Sequence, residues 1–442
     1  MSGLRILITN NTLRDRSGSE LYVRDLALAL LRRDHTPIVY STLLGDVAVE
    51  LRARTVPVVD RLDAIAAAPD VIHGHHHLDT MTALLHFPDV PAISFCHGWL
   101  PWQEAPPAFP GIRRYVAVDD LCRERLLFEH GIPAERILVE YNFVDLERFT
   151  SRGPLPEAPK RALVFSNHAC EETHLPVVRE ACRRMGIDVD VVGIRSGNVV
   201  STPEAVLGRY DVVFAKGRAA LESLAAGTAV VLCDAWGLGP MVSMSDFERL
   251  RRLNFGIRTL RGRLDVEAIV GEIGRYDPQD AGAVSRMVRM SAGLDAAAER
   301  MITLYRDVIA EGRARPFPDR LAELRSASAY LRSVAPLMKA YEVAQSEAVH
   351  ARRERDAARL AARREAEVAC QLAEASADRV KSFDAQIRNR DSLVDAQRSA
   401  LAEAQAELRA IKSTRSWRVV TRYWAIKTHL VSLVRRYLSR EP

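Results

Sequence analysis

The sequence predicts an α/β protein with two doubly wound parallel-sheet domains facing a cleft, followed by a long helix. Three observations predict it. Short apolar strand signals alternate with leucines at helical spacing, and this grammar runs twice, before and after the linker Gly153-Pro154-Leu155-Pro156-Glu157-Ala158-Pro159. Strands joined by helical crossovers imply parallel sheets. From about Leu321 to Ile411 the chain has no glycine and a single proline, Pro336. The length of 442 residues also exceeds one ordinary core, at about 150 residues per domain.

Taken in order, Leu4 to Ile8 reads as a buried strand ending in Thr9-Asn10-Asn11. A loop carrying Gly18-Ser19-Glu20 leads into a helix from Leu21 to Arg33, where Leu21, Leu26, Leu28, Leu30 and Leu31 recur at helical rather than strand spacing. Strands follow at Ile38–Tyr40, Val56–Val59 and Asp70–His73, then a helix at Thr80–Leu85 and strands at Ala92–Phe95 and Tyr115–Val118. A helix near Leu121–His130, a turn at Gly131-Ile132-Pro133 and a strand at Ile137–Val139 complete a first domain over 1–150. The second, over 160–312, has strands at Ala162–Phe165, Asp188–Val192, Asp211–Phe214 and Ala229–Leu232, and a helix around Ala297–Ile309 closes it. The carboxyl ends of both sheets should line the cleft. Over 320–411, Leu360, Val368, Leu372, Val380, Phe383 and Ile387 recur at sums of three and four. That stripe predicts a homotypic coiled coil in preference to a solvated single helix.

The 62 basic and 57 acidic residues leave a formal charge of +5, too nearly balanced to argue for nucleic acid. The excess is local: from Ser413 onward there are seven Lys or Arg and one Glu. With Trp417, Tyr423, Trp424, Leu430 and Leu433, the segment 412–442 forms a basic amphipathic tail. It suits an anionic membrane surface, at about 1 kcal/mol per basic residue near headgroups; a small helical dimer element is the alternative. Six scattered cysteines without a CxxC pair, and no leader-like start, predict reduced thiols and a cytoplasmic protein. No run of about 18 apolar residues occurs, so any membrane contact is expected to be peripheral.

Candidate chemistry concentrates at strand ends. Gly18-Ser19 directly before the first helix could offer free amides to an anion, or be a simple cap. His97 follows a strand and precedes Gly98-Trp99, which places it in the cleft unless it is a satisfied interior histidine. His73, His75, His76 and His77 invite a metal, but consecutive loop histidines cannot all face one ion, and no metal is expected. Lys216-Gly217-Arg218 lies where a strand turns into a helix; cations there oppose the helix dipole unless an anion joins them. Glu222, four residues after Arg218, is either its surface partner or a carboxylate for vicinal ribose hydroxyls. The arrangement suggests a nucleotide diphosphate.

These residues resemble the retaining glycosyltransferases of the GT-B fold, family-4 type, over roughly residues 4–312. The resemblance lies in Gly18-Ser19-Glu20-Leu21-Tyr22-Val23-Arg24-Asp25, in Asp70-Val71-Ile72-His73-Gly74-His75, and in Gly131-Ile132-Pro133 through Tyr141-Asn142-Phe143-Val144-Asp145 to Phe149. It implies two Rossmann-like domains, the first on the acceptor side and the second on the donor side. It also places the last Glu of an E-x7-E element on Glu222, a ribose contact, and His97 near the reacting sugar. Gly237-Leu238-Gly239-Pro240 resembles a following Gly-rich turn. The chain departs from the family at Phe214, which stands for the first Glu, and at Phe165 to Glu172, which lack the usual Arg and Lys. Lys216 and Arg218 are the expected substitutes, with Lys216 and His97 as catalytic groups and Gly18, Ser19, Lys216, Gly217, Arg218 and Glu222 as donor-binding residues.

The tail element Ser413-Thr414-Arg415-Ser416-Trp417-Arg418 is similar to the S-x-S-W-R ending of envelope-polysaccharide glycosyltransferases. Together these features imply a hexosyltransferase in cell-envelope polysaccharide biosynthesis. It would use a nucleotide-diphosphate sugar as co-substrate without a metal, and a glycan or lipid-linked glycan acceptor. It would assemble through its coiled coil on the cytoplasmic face of the membrane. The alternative is a glycosyltransferase-like scaffold that has lost activity.

Overall fold

The computed structural model describes residues 3–314 and 320–387, with side chains to 376, and beyond them 401–407, 409, 410, 427, 428 and 432. The chain divides into two units, Met1–Val334 and Ala335–Pro442. The first contains both α/β domains.

The first domain has strands β1 (Arg5–Thr9), β2 (Thr36–Tyr40), β3 (Val58–Val59), β4 (Val71–His75), β5 (Ala92–Cys96), β6 (Ile112–Ala117) and β7 (Ile137–Val139). Helices α1 (Gly18–Leu31), α2 (Asp46–Ala53), α3 (His77–His86) and α4 (Asp120–Glu124) lie between them. The sheet order is β3-β2-β1-β4-β5-β6-β7, parallel throughout. Ile6, Leu7, Ile8, Val71, Ile72 and Ile93 are fully buried, as strands covered by helices on both faces require. The helix expected through His130 is shorter: α4 gives way to a wide turn over Arg125–Glu129, closed by His130 N–H to the Arg125 carbonyl at 3.2 Å.

The second domain has β8 (Arg161–Phe165), β9 (Asp188–Val192), β10 (Val212–Ala215), β11 (Ala229–Asp234) and β12 (Gly237–Met241). Its helices are α5 (Leu175–Arg184), α6 (Glu204–Leu207), α7 (Gly217–Ala225), α8 (Phe247–Arg252), α9 (Val266–Ile273) and α10 (Pro278–Ser291). The order is β12-β11-β10-β8-β9, with β12 alone antiparallel. The segment expected as a Gly-rich turn is therefore a strand. Two glycines and a proline read as a turn by local signal, yet on a sheet edge the missing proline N–H is harmless.

A second difference concerns the last helix, α11 (Leu294–Ala314). The sequence assigns it to the second domain, but Ala297, Met301, Tyr305 and Val308 are buried in the first core. Tyr305 Oη lies 2.6 Å from His73 Nδ1 on β4. The chain thus crosses between the domains twice, and the two crossings are hydrogen-bonded: Val144 N–H donates to the Ala292 carbonyl (2.8 Å) and Leu294 N–H to the Val144 carbonyl (2.9 Å).

Helix α12 (Arg320–Ile387) is continuous over 68 residues, with Pro336 inside it. Leu360, Val368 and Leu372 stand more than half exposed. The stretch 388–400 of the expected coiled coil, and the tail 412–442 apart from Lys427, Thr428 and Ser432, lie outside the described residues. Among the described residues no helix is long and apolar enough to cross a membrane.

Candidate active site

The first sheet reverses its order at β1 and β4 and the second at β8 and β10, the places where doubly wound sheets open a crevice beyond their carboxyl ends. Loops leaving these strands, with the loop after β5, line one cleft of about 740 Å³. Gly18, Ser19, His97, Lys216, Gly217, Arg218 and Glu222 are all on its wall. So are Arg16, His76, Ser166, His168 and Asp234, of which sequence reasoning gave a role to none. A polar residue directly after a buried strand was the available signal for Ser166 and Asp234.

Lys216 is the N-cap of α7, and Gly217 follows it at φ +58°, a left-handed conformation that costs other residues roughly 1 kcal/mol. Gly217 N–H reaches the Phe255 carbonyl at 2.7 Å. The amides of Arg218 and Ala219 come next, and first-turn amides have no carbonyl four residues back in the helix. Lys216 Nζ sits 2.9 Å from Asp234 Oδ2 at the end of β11. The same carboxylate accepts from Ser166 Oγ (3.2 Å) and Ala235 N–H (2.7 Å) and lies 3.2 Å from His168 Nδ1. Burial opposes the charge on Asp234, yet Lys216 and these hydrogen bonds hold its carboxyl below the ordinary range.

Arg218, expected at the phosphates, is paired with two carboxylates. Its Nε donates to Glu222 Oε1 at 2.7 Å, and a terminal nitrogen pairs with Asp25 on α1. The i,i+4 pair is real but buried, not a surface pair. Asp25 also receives Arg24 (2.6 Å) and Arg148 (3.2 Å). Arg148 continues to Glu204 (3.0 Å), and Arg16 and Arg24 meet at Glu50 (2.8 and 3.5 Å). Four arginines thus face four carboxylates, joining α1 of the first domain to α6 and α7 of the second. Burial disfavours the Asp25 carboxylate, but Arg218, Arg24 and Arg148 together hold its pKa below the usual value. Burial raises that of Glu222 in spite of Arg218. As pH falls, Glu222 therefore protonates first. With two carboxylates on Arg218, Lys216 is the cation left at the start of α7.

His97 is anchored by its own N–H to Glu104 Oε2 (2.8 Å). Its Nε2 lies 2.6 Å from His75 Nδ1, the rings stacked at 4.7 Å, with Tyr22 edge-on at 4.9 Å. Burial pushes the imidazole down to about 4, so it is neutral at physiological pH. His75 Nε2 is buried without a partner. A bare buried N–H is the rarer and costlier defect, which assigns the His75 proton to Nδ1, donating to His97. His97 then keeps its proton on its own Nδ1 and is a donor there, not a base. The neighbouring histidines diverge: His73 to Tyr305, His76 to Glu104 (3.2 Å), and His77 to Tyr330 (2.7 Å). Of the four in that run, His76 alone lines the cleft. Among the described residues no three metal-ligating side chains converge.

Burial lowers the pKa of His73, His75 and His97 alike. An unfolded chain takes up these protons at about pH 6.5 and the folded one resists them. Stability is therefore complete above about 6.5 and is lost as pH falls toward 4. Melting temperatures measured from pH 7.5 to 4.5 should decline through this window; a flat profile down to pH 5 would contradict the buried neutral imidazoles.

Residues 16–148 match the sequence profile of Glycosyltransferase Family 4. The matched span carries Gly18, Ser19 and His97 and stops before Lys216, Arg218 and Glu222. No curated protein matches the chain in sequence. Among solved structures, a glycosyltransferase from Rickettsia africae is 14% identical, with a TM-score of 0.52 over 70% of this chain and 99% of its own. HepE from Anabaena, solved with UDP and glucose, is 13% identical, with a TM-score of 0.50 over 68% of this chain and 99% of its own. The fold is GT-B. Within it Phe214, where the family resemblance expects the first Glu of its element, is fully buried in β10, so no acidic side chain reaches the cleft from that position.

Proposed function

We propose that the protein is a retaining hexosyltransferase that moves a sugar from a nucleotide-diphosphate donor to a cell-envelope glycan or lipid-linked glycan. The observation that carries this reading is the meeting in one cleft of Lys216, at the start of α7 and the switch point of the second sheet, with His97 in the loop after β5. As the glycosidic bond to the diphosphate breaks, negative charge grows on the leaving phosphate. A fixed ammonium and aligned helix amides stabilise that charge without reorganisation. His97, neutral and held by His75 and Glu104, donates a hydrogen bond at the sugar. Glu222, with Oε1 on Arg218, offers its other oxygen to ribose hydroxyls. Gly18 and Ser19 bring the start of α1 to the same donor. HepE, solved with UDP and glucose, supports a nucleotide sugar as ligand. The basic aromatic tail supports a lipid-linked acceptor at the cytoplasmic membrane face, and the apolar stripe of α12 supports self-association.

The test is calorimetry of the full chain with UDP- and GDP-sugars. Binding of at least one is expected, unchanged by EDTA because Lys216 supplies the charge at the phosphates. The Arg218–Glu222 pair and the buried Phe214 favour a second reading, an inactive scaffold. Absence of binding by every nucleotide sugar would select it.

A further inference from the structure

Lys216 is paired with Asp234 at 2.9 Å, so their charges cancel, while a sugar nucleotide's diphosphate carries two negative charges. Arg218 is held by Asp25 and Glu222. Next to Lys216, on the same carboxylate, the wall carries a second group able to become positive, His168, in the loop after β8. Its Nδ1 lies 3.2 Å from Asp234 Oδ2, the same oxygen that holds Lys216, and its side chain is 49% exposed on the cleft. The loop is set for it: Ser166 Oγ accepts the His168 N–H (3.1 Å) while donating to Asp234 Oδ1 (3.2 Å).

We propose that Lys216 and His168, placed side by side on Asp234 at the switch point of the second sheet, form a proton-gated cation pair that grips the donor diphosphate. This rests on the nucleotide-sugar reading above and adds a residue and a pH dependence to it. The charge count is the reason. Lys216 with Asp234 is neutral, and an imidazolium beside it supplies the positive charge that this pair lacks. Asp234 accepts the hydrogen bond of the Nδ1–H and leaves Nε2–H free to donate to phosphate oxygen. By linkage, bound diphosphate must in turn raise the proton affinity of His168, so binding takes up a proton.

The other charged and titratable groups facing His168 are accounted for by their own surroundings. Asp234, on β11, stays ionised because its carboxyl is held low. His174, at the start of α5, is fully buried and pushed down by that burial. In the loop itself, Glu171 pairs with Arg179 and Glu172 lies 3.9 Å from Arg195.

The experiment is calorimetry of the full chain with UDP-glucose and GDP-mannose from pH 5.5 to 8.5. Their diphosphate diesters keep a constant charge, whereas the terminal phosphate of free UDP titrates near pH 6 itself. Affinity should fall about tenfold across the range, one pKa unit of differential interaction being a factor of ten. Buffers of different ionisation enthalpy should report proton uptake. His168→Arg should bind without pH dependence, and His168→Gln should show the weak high-pH affinity throughout. A flat wild-type profile, or a pH dependence surviving in His168→Gln, overturns the cation pair alone. No heat at pH 5.5 with either sugar nucleotide or with inorganic pyrophosphate overturns both this proposal and the nucleotide-sugar reading.

Discussion

Asp25→Ala is expected to lower the melting temperature by roughly 10 °C. It leaves Arg24, Arg148 and Arg218 around a site in which Asp25 is 2% exposed. Removing one partner from a buried ion cluster costs about 3–5 kcal/mol, and each kcal/mol shifts melting by about 2–4 °C at this domain size. Because Asp25 is shared, Asp25→Ala combined with Arg218→Ala should cost less than the sum of the two. The sign with pH is also fixed. The depressed pKa means the Asp25 contribution is present above the ordinary carboxylate range and is lost as pH falls through the lower folded value. The gap between wild type and Asp25→Ala should therefore be full at pH 7 and close in strong acid. Scanning calorimetry checks this, and a loss under about 2 °C at pH 7 would show that the cluster is held in place by other contacts.

Lys216→Ala should weaken nucleotide-sugar binding about ten- to a hundredfold, with Lys216→Arg retaining most of it. A hydrogen bond to a charged group contributes about 1.5–3 kcal/mol, and about 1.4 kcal/mol is a factor of ten. Melting should change less than for Asp25→Ala, since Lys216 is partly exposed and Asp234 keeps Ser166, His168 and Ala235. Calorimetry alongside thermal melts separates the two effects. Unchanged affinity in a folded Lys216→Ala protein would remove the residue from the donor site.

The strands of both sheets were legible because a strand buried on both faces must be continuously apolar, as in Leu4 to Ile8 and Ala229 to Leu232. Residues directly following such strands, His97 and Lys216, could be placed in the cleft from chain direction alone. Helix α11 was misassigned because periodicity identifies a buried face but not the core that buries it. Strand β12 was hidden because Gly237 and Pro240 carry the local signals of a turn. The role of Arg218 was legible only as far as Glu222, its neighbour on the helix. Its second partner, Asp25, is 193 positions away, and nothing local connects them. His168 follows a strand by three residues and matches no expected cation, so no local signal marks it.

The paired crossings at Val144 and Ala292–Leu294 tie the two domains by backbone segments that are hydrogen-bonded to each other. The Arg218–Asp25 pair adds a side-chain tie between α7 and α1. His97 and Lys216 are carried on opposite domains, so any change in their separation must work against both ties.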